Sequence, residues 1–176
     1  MTKSYHREYF RAKIGRWSGP FRLEITEPAS DQKLPWGDRQ SLRFLAMLSR
    51  WVGGLVMSTT VNDSSQQHPG AIFHTTRLSL HGITIARSEE VISPADDGVS
   101  FHIEGRRWSF PFIGSGTTWS GEGSVSTDHD GATYHISILG QMTQTTRMTP
   151  NGLEIIQTTP FSRATIMLRW LGPLTP

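Results

Sequence analysis

The hydrophobic pattern of this chain changes period once. Apolar side chains recur at helical spacing in two segments before residue 53, and from Leu55 onward they alternate with polar ones. In Lys3–Ile14, the residues His6, Phe10 and Ile14 recur every four positions on one side, which predicts a short helix ending at Gly15. A second helix is predicted at about 41–52: Asp38 or Ser41 can cap its start, and Gly53-Gly54 can close it. Its Leu42, Phe44, Leu45, Met47, Leu48, Trp51 and Val52 wrap most of the circumference, leaving Arg43, Ser49 and Arg50 as a narrow polar side. Such a helix requires a large surface to bury it.

A strand Phe21–Glu27 is expected between the helices. After them the two-residue period predicts strands at about Leu55–Val61, Ala71–Leu80, Ile83–Ile92, Val99–Phe110, Thr117–Ser126, Ala132–Ile138, Gln141–Thr149, Leu153–Thr159 and Arg163–Trp170. Asp96-Asp97-Gly98, Asp128-His129-Asp130-Gly131, Leu139-Gly140 and Pro150-Asn151-Gly152 supply the residues that tight turns need. Strands joined this closely are antiparallel neighbours. A meander of this length accumulates twist and exposes edges, and closure into an up-and-down barrel resolves both. The expected fold is therefore mainly β, one antiparallel barrel domain over 1–176, with a two-sheet sandwich as the alternative. Gly114, Gly116, Gly121 and Gly123 fall where a barrel needs a bend or bulge.

Length and composition narrow the function. A single domain of 176 residues can bury roughly 70% of its unfolded surface without a covalent staple. The absence of cysteine removes disulfides, thiolate metal sites and cysteine nucleophiles, and fits a reducing compartment. The charged N-terminus lacks the apolar core of a signal peptide, so a cytoplasmic location is expected. Phe44–Met57 is interrupted by Arg50 and falls short of the roughly 20 residues that span a bilayer, so no membrane anchor is expected. Net charge is +2 with dispersed Lys and Arg, which offers no stripe for nucleic acid. Seven histidines form no His-x-His or His-Glu-x-x-His motif, so no metal is expected. A Gly-x-Ser-x-Gly elbow, a P-loop and a dinucleotide fingerprint are also missing, and no cofactor is called for.

Gly15-Arg16-Trp17, ahead of the first strand, resembles the Gly-x-Trp signature of the lipocalin and wider calycin barrels. In those families a basic residue near the last strand packs over the tryptophan, and Arg169 is similarly placed. The chain departs from the pattern in its hydrophobic helix after the first strand. The resemblance implies a cavity for a small, largely apolar molecule, with roles from transport to cofactor-free cyclisation or isomerisation. Gly15 and Trp17 also have a purely structural explanation, a tight backbone approach plugged by an indole.

In Ile83–Ile92, strict alternation sets Arg87 and Glu89 on the side of Ile83, Ile85 and Val91. If that side faces inward, Glu89 is placed for proton transfer and Arg87 for holding a carbonyl or enolate oxygen. If it faces outward, the two are a solvated ion pair. Tyr134, beside Ile136 and Ile138, is a third candidate catalytic group. Met142, Gln144, Ile155 and Gln157 mix apolar and hydrogen-bonding groups on neighbouring strands, as a pocket wall requires. Ile85, His74 and Trp119 complete the expected ligand-binding set, although a satisfied core histidine also explains His74. Tryptophans 17, 36, 51, 108, 119 and 170 are expected in the core, floor and mouth, with Trp108, Phe110, Pro111 and Phe112 forming an apolar rim. Three functions follow from this: a cofactor-independent cyclase or isomerase working by substrate preorganisation, a passive intracellular carrier of a small hydrophobic molecule, or a structural or protein-interaction domain.

Overall fold

The computed structural model describes residues 5–26, 36–51, 54–63, 70–109, 116–126, 128, 130–137 and 141–174. In chain order the elements are α1 (Tyr5–Lys13), β1 (Gly15–Ile25), α2 (Trp36–Arg50), β2 (Leu55–Asp63), β3 (Ile72–Leu80), β4 (Ile83–Pro94) and β5 (Ser100–Ser109). They continue with β6 (Thr117–Val125), β7 (Gly131–Ile136), β8 (Met142–Thr149), β9 (Gly152–Thr159) and β10 (Ser162–Gly172). Each strand pairs antiparallel with the next, and β1 also pairs with β10. The sheet is thus a closed up-and-down barrel, as the hairpin punctuation predicts. The first strand starts at Gly15 rather than Phe21, so the Gly-x-Trp motif lies inside it.

Alternation decides what each strand contributes to the interior. Trp17, Phe21 and Leu23 of β1, Leu55, Met57 and Val61 of β2, and Ala164, Ile166 and Leu168 of β10 are buried. Val61, Ile166 and Leu168 have no measurable exposure, so truncating either Ile166 or Leu168 to alanine carries the roughly 2–5 kcal/mol typical of a filled core site. Trp17 points inward and donates from Nε1 to the Lys13 carbonyl at 2.9 Å. Arg169 lies opposite Ser18 on the outer face and is exposed, so it does not sit with Trp17 inside the barrel.

Helix α1 plugs one end. His6, Tyr9, Phe10 and Lys13 are its buried residues, an i, i+3, i+4, i+7 stripe. The expected four-residue series shares His6 and Phe10 with it, whereas Ile14 lies just past the helix and is only partly buried. His6 Nε2 donates to the Ala95 carbonyl at 2.9 Å, and the His6 amide donates to Gly98 at 3.2 Å, which ties the helix to the β4–β5 turn. Inside, Phe10 meets Phe101 edge-on at 5.4 Å and Phe101 meets Tyr134 at 4.9 Å.

Helix α2 begins at Trp36, before its expected caps, and lies along β1. Ser49 Oγ accepts from the Leu23 amide at 3.1 Å and donates to the Ala46 carbonyl at 2.9 Å. Leu42, Ala46 and Leu48 are buried, while Phe44, Met47 and Trp51 are exposed. The burial is therefore narrower than the sequence predicts: one stripe of the helix, with the cavity-lining Leu45 beside it, faces the barrel, and the rest faces solvent. Val52 lies outside the described residues, as do Phe110, Pro111, Phe112 and Gly114 of the predicted rim and bend. Trp108 lies on the outer wall, 5.9 Å from the Arg87 guanidinium and 5.5 Å from that of Arg106.

Two glycines make room for aromatic rings. A Cβ at Gly105 would lie 2.2 Å from Cζ2 of Trp119, and one at Gly123 would lie 2.2 Å from Cζ of Phe101. Gly105→Ala is expected to destabilise the barrel by about 1–3 kcal/mol through displacement of the buried indole. Urea unfolding followed by tryptophan emission measures this. An unchanged midpoint would mean that Trp119 is not held against Gly105.

Candidate functional site

The β3–β4 hairpin determines which polar groups enter the barrel. Leu78 pairs with Ala86 but Ser79 pairs with Thr84, so Ile85 is the extra residue of a bulge. One extra residue reverses the alternation on either side of it. Beyond the bulge Ala86, Ser88, Glu90 and Ile92 turn inward, and Arg87 and Glu89 turn outward. Those two form an ion pair with side chains 45% and 46% exposed. The premise that they share the inner side of the strand is therefore corrected, and the solvated-pair alternative describes them. Ile85 packs partly against the core and Ile83 is 71% exposed near the barrel end.

The same register aligns two inward rows. His74, Glu90, Gly105 and Trp119 oppose one another across β3, β4, β5 and β6. The adjacent row is Thr59, Thr76, Ser88 and Arg107 across β2 to β5. His74 Nδ1 lies 3.5 Å from Glu90 Oε2, Ser88 Oγ donates to Glu90 Oε1 at 3.0 Å, and the hydroxyls of Thr59 and Thr76 are 3.1 Å apart. All of these except Gly105 line an internal cavity of about 140 Å³. Phe21, Leu45, Met57, Leu78, Met142 and Ile155 form its apolar wall.

At the α1 end the cavity is floored by Lys13, which is 3% exposed. Its Nζ donates to the Tyr134 hydroxyl at 3.4 Å and lies 4.9 Å from the Tyr9 ring centre. The Tyr9 and Thr146 hydroxyls are hydrogen-bonded. Burial pulls the Lys13 amine down to about 7, against an opposing pull from Glu90. Burial likewise lowers His74, with Glu90 opposing and Lys13 reinforcing, so its ring is neutral at pH 7. Burial raises both Tyr9 and Tyr134, which keeps the phenols protonated. Arg107 is desolvated with Glu90 as its compensating charge, and a guanidinium remains cationic there.

Among the described residues, the buried nitrogens His74 Nε2 and Trp119 Nε1 have no hydrogen-bond partner. Glu90 beside Nδ1 favours the tautomer with its proton on that nitrogen, which leaves Nε2 as an acceptor. Trp119 Nε1 is a donor. One acceptor and one donor thus border the cavity unsatisfied, an arrangement that carries a desolvation penalty of about 1–3 kcal/mol for each group.

Of the residues selected from sequence, His74, Trp119, Met142, Gln144, Ile155 and Gln157 converge on the cavity. Gln157 Nε2 donates to Gln144 Oε1 at 2.8 Å, so that pair is already engaged. Tyr134 is buried behind Lys13. Arg87 borders the cavity, but its guanidinium is paired with Glu89 on the outside. Sequence reading missed Lys13, Glu90 and Arg107. Lys13 lies seven residues after His6, on the buried stripe of α1, and Arg107 shares its strand parity with Phe101 and Ile103. The Arg107 signal was legible, whereas Glu90 required the bulge and Lys13 reads as a solvated lysine until the stripe is seen to end inside the barrel.

These features define a class, a closed β-barrel with a partly apolar cavity and an ionisable floor. No family model matches the chain, and no curated protein matches it. Among the described residues, no helix is long and apolar enough to cross a membrane, and no three His, Asp or Glu side chains converge as a metal set.

The Lys13 amine titrates near 10.4 when unfolded, and near 7 in the barrel. Between those values the unfolded chain binds the extra proton, so stability rises with pH; below both, the penalty is constant. Relative to Lys13→Met, wild-type unfolding free energy should rise by about 2 kcal/mol from pH 7 to pH 9. Urea titrations at the two pH values test this, and parallel behaviour of the two proteins would show that the amine is not desolvated.

Proposed function

We propose that the barrel binds a small, largely apolar organic molecule with an oxygen-bearing head, and transforms it by cofactor-independent acid–base chemistry, as an isomerase or cyclase. The observation that carries this reading is the pair of unsatisfied nitrogens, His74 Nε2 and Trp119 Nε1, bordering one cavity. A ligand oxygen can accept from Trp119, and Nε2 can accept a proton from the ligand. Glu90 beside Nδ1 supports the imidazolium that results, following the logic of a base oriented by a carboxylate. Arg107 supplies fixed positive charge for a developing enolate, in a site where burial strengthens it. The apolar wall holds the remaining carbon skeleton in a reactive shape. The calycin resemblance of Gly15-Arg16-Trp17 supports the same kind of occupant. A passive carrier would use the same wall but would have no work for a base.

A panel of small hydrophobic ketones and enones incubated in D2O tests this reading. Turnover by proton abstraction exchanges deuterium into recovered ligand or changes its isomer. Exchange should fall by at least about 100-fold in His74→Ala and Glu90→Gln, and stay at the wild-type rate in Arg87→Ala and Glu89→Gln. Binding without exchange would establish the carrier instead. Absence of binding across the panel would sink both readings.

A further inference from the structure

We propose that Lys13 is an imine-forming amine, and that the cavity takes an aldehyde or ketone whose carbonyl carbon is captured by its Nζ. The inference deepens the reading of the barrel as a site for a small oxygen-bearing molecule and rests on it. It stands on placement. Of the 17 Lys and Arg residues in the chain only three are lysines, at positions 3, 13 and 33. Lys13 is buried at the floor of the cavity. A long cationic side chain is among the least frequently buried, and its place here between Phe10 and Ile14 could hold an apolar residue.

The surroundings of Nζ suit the chemistry. The groups facing it are the rings of Tyr9 and Phe10 from α1 and Tyr134 from β7. The charged or titratable groups acting on it or beside it are Glu90 and His74 from β4 and β3. Desolvation holds the amine at about 7, so about half is the free nucleophile at neutral pH, against about 1 in 2,500 for an ordinary lysine. Tyr134 touches Nζ and stays protonated, which puts an acid beside the reacting nitrogen.

The step balances without a further reactant. The nitrogen lone pair forms a bond to the carbonyl carbon, and the C=O π pair moves to oxygen. A proton passes from nitrogen to that oxygen through the Tyr134 hydroxyl, giving a carbinolamine. The phenol then protonates the hydroxyl, which leaves as water as the C=N bond forms, and the phenolate recovers its proton from the iminium nitrogen. Where solvent instead reprotonates the phenolate, the iminium keeps its proton and its positive charge, and it acidifies the adjacent C–H that His74 would deprotonate.

Cinnamaldehyde with cyanoborohydride is the probe, read by intact mass and peptide mapping of the full chain. Cinnamyl alcohol, which lacks the carbonyl, reports cavity binding through quenching of tryptophan emission. The expected result is one adduct on Lys13, formed at least about tenfold faster than at Lys3 or Lys33. Trapping should fall several-fold from pH 7 to pH 6 as the amine protonates. Lys13→Met should lose the adduct, and Tyr134→Phe should slow it while still binding the alcohol. The mapping is done on wild type, so it holds even if a variant fails to fold. Binding of the alcohol with Lys13 left unmodified by the aldehyde, or adducts spread evenly over all amines, would overturn this inference and leave the cavity reading intact. Failure of both compounds to bind or react would overturn the two together.

Discussion

Because β1 is hydrogen-bonded to β10 as well as to β2, every strand has two neighbours and the ten inner faces share one volume. That closure removes all free edges, which in an open sheet of this size would template aggregation. It also confines the interior, so each inward side chain must fit against those from strands far away in sequence. Gly105 and Gly123 show the constraint directly, since each gives up its side chain to a neighbouring aromatic ring. Helix α1 then closes one end with a stripe of four buried residues. The cavity is the volume left over, bounded by side chains whose direction the ladder has already fixed.

Within that volume the electrostatics turn on Glu90. It acts on Lys13, His74 and Arg107, three basic groups from α1, β3 and β5. One carboxylate cannot keep three buried bases charged, and the outcome follows their intrinsic basicity. Arg107 stays cationic, His74 is neutral, and Lys13 sits near its midpoint at neutral pH. The interior is therefore close to neutral with a slight positive excess, and it changes charge when Lys13 titrates. Such a field favours ligands that are electron-rich at one end and apolar over the rest.

The sequence carried the architecture because hairpin punctuation and the change of period are local signals. Turn residues named from Asp96-Asp97-Gly98 and Pro150-Asn151-Gly152 fall between paired strands as expected. The pocket wall was also legible wherever alternation ran unbroken, as at Met142, Gln144, Ile155 and Gln157. It failed at Ile85, where a bulge leaves no compositional mark and yet exchanges Arg87 and Glu89 for Ser88 and Glu90. The apolar circumference of α2 misled for a different reason: hydrophobicity states what a helix can bury, and the surface it meets determines what it does bury. Lys13 was hidden by its own chemistry, since a lysine on an apolar stripe reads as solvated until the stripe is seen to end inside a barrel.

The same residues weaken the fold. An amine held at about 7 instead of 10.4 lowers folded stability below neutral pH by on the order of 4 kcal/mol, a large fraction of a typical domain's total. An unsatisfied imidazole and indole nitrogen add to that penalty. Apolar residues of similar size would relieve all three at once, and the barrel shows by its Ile, Leu and Phe content that such residues fit its interior. Ionisable groups that weaken the fold yet line one cavity together are the pattern expected of a binding or catalytic site.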